Sequence, residues 1–221
     1  MKKEFAFYLG AIVALFLLLL AWLFSTPEAI ARLVAPPAGP ESAVVKIVLK
    51  DGHGSGFVYN GRYIITAAHV VGTESKMKYK GADGVARDAE VLWANKAYDV
   101  ALLAIDAGLP SAPMTCRQAA IGETVTAKGN PLAVEFVQTE GKIAGSPRAI
   151  HGWRSVYVAD ISAAGGMSGG PVFDADGNVI GITVGGMIAP MGFGGSFVGL
   201  TFLVPSSAIC GLLSMPEGAL A

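Results

Sequence analysis

From residue 43 to residue 204 the chain is a succession of short apolar runs, rich in β-branched residues and separated by glycine-containing turns: 44–49, 56–59, 63–66, 89–93, 100–105, 124–128, 156–159, 179–184 and 197–204. Runs of this length suit strands, and β-branched side chains pack well on a pleated surface but lose rotamer freedom in a helix. A chain patterned this way is expected to be all-β. Its 29 glycines fit the tight turns and bulges that let a sheet curl into a barrel. The span is long enough for one sizeable core or two small ones packed together. One brief helix is expected over 208–213, after Pro205, with Ser206 or Ser207 as its N-cap. No fixed-period repeat or low-complexity tract interrupts the pattern.

The beginning of the chain is different. From Phe5 to Phe24 no residue is charged, and a helix of about 20 residues spans about 30 Å, the thickness of a bilayer's hydrocarbon core. Lys2 and Lys3 precede this stretch, whereas the next basic residue is Arg32, so the positive-inside bias sets the N-terminus in the cytoplasm. The expected organisation is a cytoplasmic stub and transmembrane anchor over 1–25, a Pro/Ala-rich linker over 26–42 and a folded domain over 43–221. The domain then lies outside the cytoplasm, in the periplasm of a Gram-negative cell. The competing reading is a cleaved signal peptide with Ala29-Ile30-Ala31 as its processing site and a secreted product. A signal's apolar region usually runs only about 7–15 residues, which favours a retained anchor.

Composition narrows the function. With 16 basic and 17 acidic residues the net charge is −1, and no basic run could track phosphates, so no nucleic-acid partner is expected. Cys116 and Cys210 form no CxxC and have no histidine at ligand spacing; no zinc, other metal or cofactor is expected. An oxidising compartment would allow them to pair, but two buried thiols packed as small apolar groups are the favoured expectation.

Acyl transfer to water needs a nucleophile, a base for its proton, a group that orients the base and donors for the oxyanion. Ser168 lies in Gly165-Gly166-Met167-Ser168-Gly169-Gly170-Pro171, where glycines leave its hydroxyl open and let neighbouring N–H groups turn toward one point. A flexible linker fits poorly, because strand residues follow at once, with Asp174-Ala175-Asp176-Gly177 as the turn between two strands. His69 directly follows an apolar strand among small residues, as a base facing a cleft would. His53, among glycines, and His151, in a polar loop, are expected to be exposed and without a catalytic role. Asp99, at the mouth of the run 100–105, would be costly to bury unpaired, and an imidazole N–H would both satisfy it and fix the ring's tautomer.

These residues occur in the order His, Asp, Ser, and their contexts TAAHVV, DVALL and GMSGGPV resemble the chymotrypsin-like serine peptidases, most closely the bacterial HtrA (Deg) family. Gly54-Ser55-Gly56-Phe57 looks like that family's GSGF strand, Gly129-Asn130-Pro131 like its GNP turn, Thr139-Glu140-Gly141-Lys142-Ile143 like its TxGxI strand, and 198–205 like its VGxxFAIP ending. The resemblance implies two antiparallel Greek-key β-barrels with the site between them, His69 and Asp99 from the first and Ser168 from the second. It also implies an oxyanion hole made by the Gly166 and Ser168 N–H groups, protein or peptide substrates, and a specificity pocket with Ser162, Ala163 and Ala164 on one side and Thr183, Val184 and Gly185 on the other. No acid stands among those six, so small or medium apolar side chains are the expected preference. Met167 stands where relatives carry Asn or Asp, from which no zymogen step is expected. Only 16 residues follow Pro205, which leaves no room for the PDZ domain common in HtrA proteins. Two rivals stay open: an inactive binding module of the same fold, and a small-molecule esterase on the same triad. No sequence feature sets the oligomeric state.

Overall fold

The computed structural model describes residues 15–16, 40–106, 108–132, 134–191 and 194–216. Apart from Leu15 and Phe16, the expected membrane segment, the alternative cleavage site and the linker up to Gly39 lie outside the described residues. Among the described residues no helix is long and apolar enough to cross a membrane. The chain divides after Gly39 into two units, and the second contains all the elements named below.

Two six-stranded antiparallel sheets make up that unit. The first holds β1 (Val44–Leu49), β2 (Gly52–Tyr59), β3 (Tyr63–Thr66), β4 (Lys76–Lys80), β5 (Ala86–Asn95) and β6 (Val100–Ile105), with a single helical turn, α1 (Ala68–Val71), after β3. The second holds β7 (Thr124–Gly129), β8 (Val137–Ile150), β9 (Trp153–Asp160), β10 (Pro171–Phe173), β11 (Val179–Met191) and β12 (Gly194–Pro205), followed by α2 (Ser206–Leu213). The first runs β1-β2-β3-β6-β5-β4 and closes through β4 on β1; the second runs β10-β11-β12-β9-β8-β7 and closes through β7 on β10. Within the first barrel the spatial order β4-β1-β2-β3 is a Greek key, and the second barrel repeats the same order with its own strands. That duplication leaves no trace as a sequence period.

Alternation along each strand decides which core a side chain enters. On β12, Leu203 joins the interior of the second barrel with Val125, Ile143 and Tyr157, while Phe202 and Val204 point the other way, into the cluster that fills the first barrel and the seam. Val172 and Phe173 on β10 divide in the same way. One face of the second barrel therefore covers its own core, and the other helps cover that of the first. Strand β4 was hard to read because Lys76, Lys78 and Lys80 outnumber the apolar residues between them; Met77 and Tyr79 are buried and the lysines lie outward. Helix α2 begins earlier than expected: Pro205 occupies the N-cap without a side-chain bond, and Ser206 is the first helical residue, fully buried.

The expectation of two buried thiols does not hold. Cys116, on the connection between the barrels, is exposed, Cys210 is only half-buried on the flank of α2, and the two form a disulfide with Cα atoms 5.9 Å apart. The helix buries Ile209 and Leu212, and this orientation turns Cys210 toward the connection. Next to it, Arg117 bridges Glu123 and Asp174. Burial pushes the Asp174 carboxyl up, but the Arg117 guanidinium and the Asn178 amides outweigh it and hold the group below the usual carboxylate range. Residues 112–115 are stitched to both barrels, Ala112 N to the Val58 carbonyl at 3.0 Å and Thr115 N to the Val179 carbonyl at 3.1 Å.

The bridge closes a loop with a sequence separation of 94, so its removal restores considerable freedom to the unfolded chain. The Cys116→Ser/Cys210→Ser double variant is expected to lose about 2–4 kcal/mol in equilibrium denaturant unfolding against the oxidised protein. A loss below about 1 kcal/mol would mean that packing alone holds α2 to the connection.

Candidate active site

The site begins where β3 stops. After Thr66 the backbone stays extended at Ala67 and then makes the turn α1, in which Ala68, Val70 and Val71 are buried. Three apolar residues that must face inward leave His69 facing out, its side chain 47% exposed. Asp99 ends the turn that follows β5, where Asn95 Oδ1 accepts the Tyr98 N–H at 3.1 Å. Its φ of +60° places it in the left-handed region that L-residues enter at a cost. Its side chain is only 5% exposed.

Burial of this carboxylate is compensated by donors. His69 N donates to Oδ1 at 2.8 Å, His69 Nδ1 lies 2.7 Å from Oδ2, and Trp153 Nε1 donates to Oδ2 at 3.1 Å. A carboxylate only accepts, so Nδ1 carries the proton and Nε2 is left as the acceptor facing the cleft. The first barrel thus supplies an imidazole oriented as a general base requires.

Ser168 comes from the loop between β9 and β10. Its carbonyl accepts from Ser55 N at 2.8 Å, on β2 of the first barrel. At Gly169, φ is +82° and an added Cβ would collide with Thr66 Oγ1 and the Ser55 carbonyl oxygen. Only glycine allows the backbone after Ser168 to press against the segment that leads into His69. No hydrogen bond joins Ser168 Oγ to the imidazole among the described residues; such bonds often tighten only when substrate is bound.

Three successive carbonyls of the loop are held by hydrogen bonds. Gly165 O accepts from Leu132 N at 2.8 Å, Gly166 O from Ser55 Oγ at 2.7 Å, and Met167 O from Gly170 N at 2.9 Å. Peptide bonds are trans here, so the N–H that follows each carbonyl projects the opposite way. The Met167 N–H donates to the Ala164 carbonyl at 3.1 Å, whereas the Gly166 and Ser168 N–H groups have no protein acceptor among the described residues. Met167 is buried in the second core with Ile161 and Ile180. An apolar plug thus occupies the position where an acid would need a partner.

Several of these supports were missed in the sequence. Ser55 is fully buried, donates to Gly166 O, and accepts from Asn130 N at 2.9 Å and Asn130 Nδ2 at 3.0 Å. The GSGF and GNP likenesses pointed to both segments without revealing that they meet. His53, expected to be exposed, is half-buried; its Nε2 lies 2.6 Å from the Asn130 carbonyl, and its ring fills the space beside Gly166. His151 is exposed, in the turn before β9. Of the expected pocket residues, Ser162 and Ala164 are exposed and Ala163 half-buried, while Thr183 and Val184 are buried. The Thr183 carbonyl accepts from Gly169 N at 2.7 Å. Val184 shares a cavity of about 450 Å³ with His69, Asp99, Lys96 and Trp153, which places it on the imidazole side of the cleft. No three His, Cys, Asp or Glu side chains gather as a metal site among the described residues.

Paired barrels with an imidazole–carboxylate couple on one and a glycine-flanked serine on the other define a recognisable class. The sequence model of the trypsin-like peptidase domain matches residues 54–182, more than half of the chain, and the chain belongs to that family. It is 35% identical over 159 residues to a probable periplasmic serine endoprotease, DegP-like, of Halomonas elongata, covering 69% of this chain and 32% of that protein. The chain spans about a third of the length of the curated relatives it matches. Among solved structures, the serine endoprotease from Yersinia pestis superposes with a TM-score of 0.68 at 26% identity, covering 79% of this chain and 62% of that one. The HtrA-type protease AlgW with a tripeptide gives 0.71 at 25% identity, covering 80% and 60%.

Ser55→Ala leaves the Gly166 carbonyl and the Asn130 amide without their shared partner in a buried position. A loss of about 1–3 kcal/mol is expected in denaturant unfolding. Gly169→Ala should be worse, because the atoms it meets include a backbone carbonyl that cannot move aside.

Proposed function

We propose that the chain is a serine endopeptidase that hydrolyses peptide bonds through an acyl-enzyme. The observation that carries this reading is the doubly hydrogen-bonded His69–Asp99 pair, held one short segment away from a glycine-flanked serine. In the proposed reaction His69 Nε2 takes the Ser168 proton as Oγ attacks the carbonyl. Asp99 stabilises the imidazolium, and the Gly166 and Ser168 N–H groups receive the oxyanion. His69 then returns its proton to the leaving amine, and water repeats the sequence to release the acid.

Further parts of the reading rest on the sequence and the relatives. The uncharged stretch from Phe5 to Phe24 is read as a membrane tether that leaves the barrels outside the cytoplasm; a matched relative is named as periplasmic. Substrates are proteins or peptides, in keeping with a similar HtrA-type protease whose structure holds a tripeptide, and the role is protein quality control or regulated proteolysis. The absence of an acid among Ser162, Ala163, Ala164, Thr183, Val184 and Gly185 would leave a bound Lys or Arg unpaired. Small or medium apolar residues are therefore the proposed preference before the scissile bond.

Two measurements test these statements. A fluorophosphonate probe should label Ser168 in the intact chain, and labelling should vanish in His69→Ala; an unlabelled, folded protein would favour the inactive binding module. Cleavage-site mapping on a denatured protein should then show cuts after Ala, Val or Leu. Cuts mainly after Lys or Arg would overturn the proposed pocket, and turnover of esters but not of proteins would favour the esterase.

A further inference from the structure

The donors to Asp99 come from two places. His69 supplies two of them, and His69 is the residue whose position the carboxylate is meant to fix. The remaining donor, Trp153 Nε1, belongs to β9 of the second barrel. Among the described residues it is thus the side-chain bond to this carboxylate that crosses the cleft. On the second barrel, Val184 lines the same cavity, and its side chain has no polar atom to offer.

Trp153 is itself closely held. Ile150 pairs with Trp153 across a two-residue turn in which His151 and Gly152 have φ of +51° and +93°. Positive φ at both positions is the geometry of the tightest hairpin connection, and it fixes where the return strand starts. The indole packs on Phe202 at 5.6 Å between ring centroids. It also fills the space over Gly185, where a Cβ would come within 2.8 Å of the ring. The next residue repeats the attachment: Arg154 N donates to the Ala97 carbonyl at 2.8 Å, and its guanidinium lies over the Tyr98 ring at 5.9 Å. Residues 97–99, strained at Asp99, are therefore clamped from the opposite barrel at successive positions.

We infer that Trp153 is a positioning residue of the proposed reaction: its indole N–H fixes the Asp99 carboxylate, and through it the His69 ring, relative to the barrel that carries Ser168. This rests on the hydrolytic reading. Without the indole N–H, Oδ2 keeps only the imidazole as donor, and the His69 backbone N–H on Oδ1 is left as the one fixed bond that resists a turn of the carboxylate, so the base is held less firmly toward the serine. The remaining anion, with fewer donors, also attracts the imidazolium proton more strongly.

Trp153→Phe keeps an aromatic ring, smaller than the indole, and removes the N–H. In the intact chain its kcat should fall about tenfold to a hundredfold, the loss expected for one hydrogen bond to a charged group. KM should change less than about threefold, and the acid limb of the kcat/KM profile should move up by at least about 0.3 pH unit. A merely structural role would lower the melting temperature and leave that limb in place. Unchanged kcat with an unmoved acid limb overturns the inference. If the wild type is itself inactive, the hydrolytic reading fails; the geometric part is then decided by NMR of the chain with Trp153 intact. There the Trp153 indole N–H should exchange slowly and shift in Asp99→Asn, and an indole that exchanges freely and ignores Asp99 contradicts it. The same NMR measurement decides the case if Trp153→Phe does not fold.

Discussion

Everything at the site depends on how closely two independently closed barrels can bring their backbones together. A nucleophile and its base must come within one hydrogen bond of each other, yet here they stand on separate sheets. At one contact Gly169, which has no side chain of its own, lies against Thr66 Oγ1 and the Ser55 carbonyl, and Ser55 N donates to the Ser168 carbonyl. A Cβ at that glycine would force the barrels apart. Ser55 then serves a second time, since its hydroxyl holds the Gly166 carbonyl. One buried serine on β2 thereby links the position of the nucleophile to the shape of the oxyanion loop.

The burial of Met167 gives the loop a different support from an ion pair. An acid at this position would need a cationic partner in a site largely shielded from water, and an unpaired one would be costly. A methionine needs none, and fits an irregular gap in the second core. The loop is anchored by apolar burial together with four hydrogen bonds from Leu132, Ser55 and Gly170. No additional charged group has to arrive before it takes this shape.

Much of this was legible in the sequence because it is local. Strands such as 63–66 and 100–105 announce themselves by apolar β-branched runs, and the three candidate reactive residues stand in short, distinctive contexts. What could not be read depends on distant segments meeting. The partnership of Ser55 with Asn130 and Gly166, the half-burial of His53 and the bond from Trp153 to Asp99 each join positions more than 50 apart in the chain. The disulfide was misread for a related reason: hydrophobicity suggested burial, whereas the facing of α2 left both sulfurs near the surface. Strand β4 failed differently, because three lysines on its outer face concealed a period-two pattern.

The claim that groups from both barrels converge on one reacting carbon is tested most directly by a crystal structure of the chain with a peptidyl phosphonate inhibitor. The account predicts a covalent bond from phosphorus to Ser168 Oγ and the phosphonyl oxygen about 2.7–3.1 Å from the Gly166 and Ser168 nitrogens. His69 should remain bonded to Asp99 with Nε2 turned to the adduct. A phosphonyl oxygen directed away from those nitrogens, or an adduct formed at another residue, would contradict it.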